Sequence, residues 1–377
     1  MRPSVLLVAA FAAAFFAVAR LGSADDLIAS TGSPDGLMAA ASRPGITGEI
    51  EIEAADDFIL QCGATVNSVS FVGLMPTDTT KTVSGVAVEI YRVFPQDSDT
   101  VRTINVVTRA NSPSDVAFAT RDSAASDFTF QATDLSGSFT ASNSVQPGGI
   151  HPKPNQTTGG NGPVTGREVQ FDLALTSPIS LPAGHYFFVP QVTVSGGGTF
   201  YWLSAPNPVV SGTPFNPDLQ TWTRDADLDP DWSRIGTDIV GGTTPPKFNG
   251  AFSLTGTLTP VIITPSTASP LVVVPGTPIN PVTFLASGGT APYTFGFSAG
   301  SVPGLSLDSS TGVLSGTPTQ IGDFPITIGA TDSFGCNQEL NYLVRVQIQA
   351  GIPALGGVGL ALLLGALAAA GAAVLRR

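Results

Sequence analysis

Residues 83–94 read VSGVAVEIYRVF, and their pattern indicates the fold class. It places Val86, Val88 and Ile90 at every second position, which is the period of a β-strand with one buried face. Further short apolar runs, separated by turn residues, follow it, and residues 49–258 contain no apolar pattern of helical period and length. The pattern predicts an all-β protein whose residues 49–258 form a jelly-roll-like β-sandwich.

A second β-rich region, residues 259–349, begins with a proline-rich segment. About seven short strands fit into its roughly 90 residues, the size of an immunoglobulin-like sandwich. Three of its runs, SGGTAPYTF at 287–295, VPGLSLDSSTGVLSGTP at 302–318 and GDFPITIGATDS at 322–333, resemble the cadherin-like "putative Ig" module of bacterial surface proteins. The resemblance implies an extracellular spacer or adhesion module without catalytic activity.

Calcium binding is a further implication of the resemblance, since cadherin-like modules often hold Ca²⁺ with carboxylates near domain junctions. The candidate metal ligands are Asp308, Asp323 and Asp332. For Asp332, which follows a predicted strand, the capping of a turn is the favoured alternative.

The amino-terminal residues 1–24 have the features of a signal peptide. Arg2 precedes an apolar run over residues 5–18, and small residues at Gly22 and Ala24 predict cleavage between Ala24 and Asp25. A retained anchor is the alternative, although the run is short for a bilayer, which needs about 20 residues. Residues 25–48 are small and polar and predict a flexible lead-in.

The carboxyl-terminal residues 351–377 predict a membrane-spanning segment. Residues 356–375 are all Gly, Ala, Val or Leu, and a helix of about 20 residues matches a hydrocarbon core of about 30 Å. Arg376 and Arg377 would lie on the cytoplasmic side by the positive-inside rule. A buried core helix is the less favoured alternative.

This tail resembles the IPTL-CTERM type of bacterial sorting domain, through the motif Ile352-Pro353-Ala354-Leu355 ahead of the apolar run and the basic end. It departs from the type at Ala354, where Thr is expected, and in lacking an acidic-aromatic pair after the motif. The resemblance implies a Gram-negative source, passage through the inner membrane, cleavage by an exosortase-type protease, and delivery to the cell surface or extracellular matrix. The departures leave permanent membrane anchoring open.

Charge and composition exclude several functions. The net charge of −12 and only three lysines argue against nucleic-acid binding, which needs clustered basic residues. The two cysteines, Cys62 and Cys336, exclude a disulfide-stapled scaffold and a multi-cysteine metal site. They lie in different predicted domains, and a bridge would bring their Cα atoms within about 7 Å. Separate thiols, or pairing with another molecule, are favoured over a bridge between them.

The sequence contains few residue patterns that are typical of catalytic sites. His151 lies in a loop rich in Pro and Gly, His185 begins an aromatic strand, and no G-x-S-x-G motif surrounds a serine. Paired carboxylates could in principle hydrolyse glycosides, but glutamates are few. The sequence therefore predicts a protein that is not an enzyme and needs no cofactor other than the Ca²⁺ considered above.

Two other clusters have competing interpretations. The acidic run Asp225-x-Asp227-x-Asp229-x-Asp231 could bind Ca²⁺, but Pro230 and Gly236 occupy positions where an EF-hand needs Gly and Glu, so a solvated acidic turn is favoured. Aromatic residues in two neighbouring strands could form a platform for sugars, but core packing is favoured. These aromatic residues are Tyr186, Phe187, Phe188, Tyr201 and Trp202.

Together these features favour an exported, surface-sorted structural or adhesion protein. The alternatives are a carbohydrate-binding, or less favoured carbohydrate-cleaving, surface protein that contacts extracellular polysaccharide, and a calcium-dependent cadherin-like adhesin.

Overall fold

The computed structural model describes residues 25–46, 48–99, 110–146, 157–206, 220–225 and 232–348. The described chain is almost entirely β-structure, with a single turn of 3₁₀-helix at Ser123–Ala125 and a π-helical turn at Ile235–Val240. The prediction of an all-β fold is therefore confirmed. The chain divides into two compact units: residues up to 60, 64–181 and 185–258 form the first, and residues 61–63, 182–184 and 259 onward form the second.

The first unit contains two sheets whose strands are mostly antiparallel, and the apolar core lies between these sheets. Its strands are β1 (Asp26–Ser30), β2 (Met38–Ala41), β3 (Ile52–Leu60), β4 (Gly63–Met75), β5 (Val83–Arg92), β6 (Ala119–Asp122), β7 (Phe128–Ala141), β8 (Asn143–Val145), β9 (Val164–Leu181), β10 (Gly184–Val194), β11 (Tyr201–Ala205), β12 (Trp222–Asp225), β13 (Ser233–Arg234), β14 (Asn249–Gly250) and β15 (Phe252–Thr259).

The six-stranded sheet of this unit has the order β13-β12-β3-β10-β5-β6. The nine-stranded sheet follows the path β1-β15-β4-β11-β2-β8, with β9 also paired to β4, β7 to β9 and β14 to β11. Alternate residues of facing strands, such as Phe71 of β4 and Phe188 of β10, are fully buried in one shared core. This is the arrangement expected of a sandwich, in which successive side chains point to opposite faces.

Residues 25–48 do not form the predicted lead-in, and this prediction is wrong. They contain β1, which pairs with β15, and β2, which lies between β11 and β8. All four residues of β2, Met38–Ala41, are buried. The sequence misled because alanine has a low β-propensity, although its small side chain suits a crowded position between two strands.

The second unit is a sandwich of two four-stranded sheets, β16-β18-β21-β20 and β17-β23-β22-β19. Its core includes Phe284 and Val344, both without exposed surface. The strands are β16 (Ile262–Pro265), β17 (Leu271–Val273), β18 (Val282–Ser287), β19 (Thr294–Ala299), β20 (Leu305–Leu307), β21 (Val313–Gly316), β22 (Gly322–Thr331) and β23 (Asn337–Val346).

A disulfide bond joins Cys62 and Cys336 within the second unit, with their Cα atoms 4.8 Å apart. The preference for separate thiols is therefore wrong. The error arose because Cys62 was assigned to the first predicted domain. Cys62 lies between β3 and β4 in the chain, belongs to the second unit and packs against the apolar core of that unit.

The predicted signal peptide, its cleavage site at Ala24, the sorting motif and the terminal arginines lie outside the described residues, except that Asp25 is the first residue described. Within the described ranges, no helix has both the length and the apolar character needed to cross a bilayer.

Candidate functional site

The three candidate calcium ligands lie in three separate local structures. Asp308 is exposed, and its Oδ1 accepts hydrogen bonds from the hydroxyl and backbone N–H groups of Ser310 and Thr311. These bonds, led by the Ser310 hydroxyl, lower the pKa of Asp308 to about 2. Asp323 is also exposed and accepts two hydrogen bonds of 2.8 Å from the guanidinium of Arg345.

Asp332 is buried and organises the turn that contains Cys336. Its Oδ1 accepts from the backbone N–H groups of Phe334 and Cys336, and its Oδ2 accepts from that of Thr290. Asp323 and Asp332 lie nine residues apart along an extended strand, which corresponds to about 30 Å. No group of three or more metal-ligating side chains occurs among the described residues. Calcium binding stays a prediction, and these three carboxylates do not converge on one point.

The aromatic residues of β10 and β11 belong to the interior, as the favoured interpretation held. Tyr186, Phe187 and Phe188 are at most 3% exposed, and Tyr201 is half-buried. The Trp202 indole donates to the carbonyl of Ala251 at 3.0 Å. A side chain at Gly250 would collide with the Trp202 ring, so the backbone there covers one face of the indole. The four buried rings, those of Tyr186, Phe187, Phe188 and Trp202, are not available to stack on a sugar.

His185, considered above as a catalytic base, forms a buried hydrogen bond with Asp57. Its Nε2 lies 2.7 Å from Oδ2 of Asp57, and the two side chains are 7% and 4% exposed. Burial raises the pKa of Asp57, against the opposing effect of the His185 hydrogen bond. The imidazole stacks on Phe187. His151, Asp227, Asp229 and Asp231 lie outside the described residues. Asp225 is 3% exposed, so the interpretation as a solvated acidic turn is wrong for this residue.

The densest group of interacting charges lies on the face of the six-stranded sheet that points away from the shared core. We call it the carboxyl cluster, and it consists of Glu53 on β3, Glu89 and Tyr91 on β5, and Arg224 on β12. The strand order places β10 between β3 and β5, so that the long Tyr91 side chain spans it to reach Glu53. Alternation along each strand directs all four side chains to the same face.

Hydrogen-bond geometry indicates an extra proton in the carboxyl cluster. The Tyr91 hydroxyl lies 2.6 Å from Oε1 of Glu53 and 2.8 Å from Oε2 of Glu89, and it accepts from the Arg224 guanidinium at 3.0 Å. A phenol has one hydrogen to donate, so it can serve only one carboxylate. The other contact is a hydrogen bond only if that carboxyl carries its own proton.

The proton belongs to Glu89. Burial and the charge of Glu53 raise the pKa of Glu89 to about 7. Glu53 instead accepts from Arg224 Nε, in a charge-assisted bond, and from Tyr91. Burial acts to lower the pKa of Arg224, but the Glu53 carboxylate more than offsets it and raises that pKa above its ordinary value. With Glu89 protonated, one cation balances one anion and the cluster is neutral.

Packing locks the Arg224 side chain in place. Its guanidinium lies 4.5 Å from the centre of the Trp232 ring, and it also donates to the carbonyl of Asp115. The side chains of Glu53 and Arg224 are 4% and 14% exposed. A pair of carboxyl groups is the requirement for glycoside hydrolysis, but here both are engaged by protein groups. The arrangement is suited to store a proton inside the sheet rather than to contact a substrate.

The sequence reasoning missed the carboxyl cluster, although it contains a local signal. Glu53 and Glu89 each have apolar residues on both sides within a strand-like run, IEAADDFIL at 52–60 and VAVEIYRV at 86–93, although Asp56, Asp57 and Arg92 also lie in these runs. A carboxylate in such a strand needs a partner if it is buried. The identity of the partner depends on which strands are neighbours, and the sequence does not show this.

A shallow groove of about 550 Å³ lies on the nine-stranded sheet. The floor of the groove consists of two rows of mostly polar side chains, each formed by residues that are cross-strand partners. One row contains Ser70, Asp172 and Gln131, and the other contains Ser68, Ala174 and Thr129. Small hydroxyl side chains, one amide and one carboxylate therefore point out from strands β4, β9 and β7 together. Their hydrogen-bonding groups could contact a polar ligand.

Comparison with known proteins identifies a family only for the second unit. The family model described as "Putative Ig domain" matches residues 254–347, about a quarter of the chain. No curated protein matches the chain.

Two solved structures from Bacteroides fragilis NCTC 9343 are similar over a small part. They are described as a "putative alpha-galactosidase" and a "putative alpha-galactosidase/melibiase", with identities of 29% and 25%. In each case 22% of this chain covers 17% of the solved chain, with a TM-score of 0.19. This similarity supports no conclusion about activity. The family match and the two facing four-stranded sheets agree that the second unit is an immunoglobulin-like module.

Proposed function

We propose that this chain is an exported, surface-displayed β-protein with a structural or adhesive role and no enzymatic activity. Its immunoglobulin-like module, which is typical of surface and adhesion proteins, would act as spacer or binding module. The first unit, proposed to be jelly-roll-like, would present the contacting surface. An exosortase-type protease would process the tail and release the protein to the surface or matrix of a Gram-negative cell.

The observation that carries export is the Cys62–Cys336 disulfide. Disulfide bonds persist in oxidising compartments outside the cytosol and are rare where glutathione and thioredoxin keep thiols reduced. The two bonded residues are separated by 274 positions, and Cys336 is 1% exposed. A buried bond between distant segments is a structural one, and it requires that the chain folds where oxidation is possible.

Cell fractionation combined with intact mass tests this proposal. We expect the protein in the envelope or medium, starting at Asp25, with no thiol that reacts before reduction and two that react after it. The mass also reports whether the tail beyond residue 350 is removed. A cytoplasmic protein with two free thiols would refute export. For adhesion, cells lacking the protein should attach less to a surface, and unchanged attachment would count against this role.

Glycan binding is a second candidate function, favoured by the polar groove. Hydroxyl, amide and carboxylate groups such as Ser70, Gln131 and Asp172 are suited to bind sugar hydroxyls. The test is a glycan array with the exported protein and its Asp172→Ala variant. Asp323→Ala, which removes an exposed carboxylate in the other unit, is the matched control. Binding that is absent, or equally strong in Asp172→Ala, would contradict a glycan site in the groove.

A further inference from the structure

Strand β7 is a long edge strand with a free side. It spans Phe128–Ala141 and is paired along one side with β9. Among the described strands none pairs with its other side. Of its 14 residues, only Phe128 and Ala141, at the two ends, are buried. Every second residue of an edge strand directs its backbone N–H and C=O groups away from the sheet. These groups form a template for another strand.

The first half of this edge lacks the features that usually prevent such pairing. Residues 128–133 read FTFQAT, without charge, proline or glycine. Four of these six residues have a high β-propensity, namely Phe128, Thr129, Phe130 and Thr133. Residues 128–134 pair with β9 without any shift of register, whereas irregularities begin between Asp134 and Ser136. In natural proteins, lysine, proline or a β-bulge commonly prevents an edge strand from pairing with another chain. Here the bulges protect only the part of β7 beyond Asp134.

We propose that the free edge of β7 over residues 128–134 pairs, antiparallel, with the same edge of a second copy of this chain. Such pairing would join the nine-stranded sheets of the two copies into one continuous sheet. This inference does not depend on the proposed surface role, since it concerns only the association of the folded chain with itself.

A second copy suits this edge better than a partner of opposite charge, because Asp134 is the only charged residue of β7. With the two-fold axis at Gln131, the side chain of Gln131 lies beside that of Gln131 in the second copy. Thr129 then lies opposite Thr133, and Phe130 lies opposite Ala132. Threonine pairs directly opposite each other stabilise antiparallel strands. This register also places Asp134 opposite Phe128, so the two carboxylates lie at opposite ends of the shared ladder.

Charges on neighbouring strands do not oppose this pairing. Asp172 of β9 lies beside Gln131 in the cross-strand register and accepts hydrogen bonds from Gln170. In the dimer the two Asp172 residues are separated by two β7 strands, about 14 Å at the usual spacing between strands. Such a distance exceeds the Debye length of about 8 Å at physiological ionic strength, so their repulsion is largely screened.

An engineered crosslink tests the register directly. Both native cysteines are consumed in one disulfide, so Gln131→Cys adds the single free thiol of the chain. Residues directly opposite across antiparallel strands have Cβ atoms about 4.5–5.5 Å apart, close enough for a disulfide after small adjustments. We expect the exported Gln131→Cys variant of the whole protein to migrate as a covalent dimer on a non-reducing gel.

Thr140→Cys is the matched control, because Thr140 is exposed on the same strand but lies nine residues from the axis. We expect it to stay monomeric under the same oxidation. Equal crosslinking of both variants would indicate random collision and overturn the proposal. Absence of crosslinking in Gln131→Cys, with the Cys62–Cys336 bond intact by mass, would also overturn it. A crosslink that forms only with Ala132→Cys would refute the Gln131 register.

A variant that introduces like charges tests the contact without new cysteines. The double variant Thr129→Lys/Thr133→Lys places lysines directly opposite each other at two positions of the dimer, and like charges in this arrangement destabilise pairing. Sedimentation over a concentration series should show wild-type dimers and at least a tenfold weaker association of the variant. A wild-type protein that stays monomeric over the whole series, or a variant that dimerises as strongly, would refute pairing through β7. Circular dichroism confirms that both proteins are folded.

Discussion

Glu89 provides the sharpest test of the energetics inside the first unit. Its carboxyl lies 2.8 Å from the Tyr91 hydroxyl, and Thr120 donates to its other oxygen at 3.1 Å. Burial and the Glu53 charge raise its pKa from an ordinary value of 4.5 to about 7. The perturbation is Glu89→Gln, which cannot ionise. Its amide can donate to the Tyr91 oxygen as the protonated carboxyl does.

The magnitude follows from linkage between protonation and folding. The folded state binds the Glu89 proton more tightly than the unfolded state, so the contribution of Glu89 to stability is complete below pH 4.5. It is lost as the pH rises through about 7. A difference of about 2.5 pKa units, at about 1.4 kcal/mol per unit, gives roughly 3 kcal/mol as the order of magnitude of this loss. The Gln variant should therefore equal the wild type near pH 4.5 and be more stable by up to roughly 3 kcal/mol above pH 8.

Urea unfolding followed by tryptophan fluorescence measures this difference, because all three tryptophans belong to the first unit. Trp232, which stacks on Arg224, lies in contact with the carboxyl cluster. Glu339→Gln, at an exposed position of β23 in the second unit, is the control and should show no such dependence on pH. Parallel stability curves for wild type and Glu89→Gln between pH 5 and 8.5 would refute the assignment of the shared proton to Glu89. A variant that is less stable at both ends of this range would do the same.

The other predictions concern the second unit and the core. Cys62→Ser should lower the unfolding free energy of the second unit by about 2–5 kcal/mol, measured by thermal unfolding, and reductant should have no further effect on it. Asp332→Ala should cost about 3 kcal/mol or more in urea unfolding, since three backbone N–H groups lose their acceptor; a change below 1 kcal/mol would contradict this. Because Asp308 is engaged by its own turn, EDTA should leave the melting temperature of the second unit unchanged, and a fall on chelation would show that calcium binds there. Trp202→Ala should lower the unfolding free energy of the first unit by about 3–5 kcal/mol, as expected for a core residue. An unfolding free energy close to that of the wild type would instead favour Trp202 as part of a surface platform for sugars.

Local pattern predicted many strands of this protein well. The alternation in residues 83–94 corresponds to β5, and the apolar runs of residues 282–348 correspond to β18–β23 of the second unit. It failed for β2, where the alanines at 39–41 have the small side chains of a flexible segment but are packed between two strands. Burial there depends on the neighbours, and those neighbours are more than 100 residues away in sequence.

The candidate sites depended even more on tertiary structure. The resemblance indicated Asp308, Asp323 and Asp332, and the structure gives each a separate local role. The carboxyl cluster draws on β3, β5 and β12, whose residues Glu53, Glu89 and Arg224 are spread over more than 170 positions. No spacing in the sequence could have joined them, because a strand pattern shows which residues share a face but not which strands are neighbours.

Local periodicity, turn residues and composition were enough to predict the all-β class, the strand count of an immunoglobulin-like sandwich in residues 259–349, and an acidic, lysine-poor chain. The resemblance to the putative Ig module added the family of that sandwich. Three features appear in the tertiary structure alone: the Cys62–Cys336 bond, the contacts of Glu53 and Glu89 with Tyr91, and the edge of β7 that no described strand covers. Each of these depends on contacts between segments distant in the chain, and strand order and register, rather than local pattern, determine such contacts.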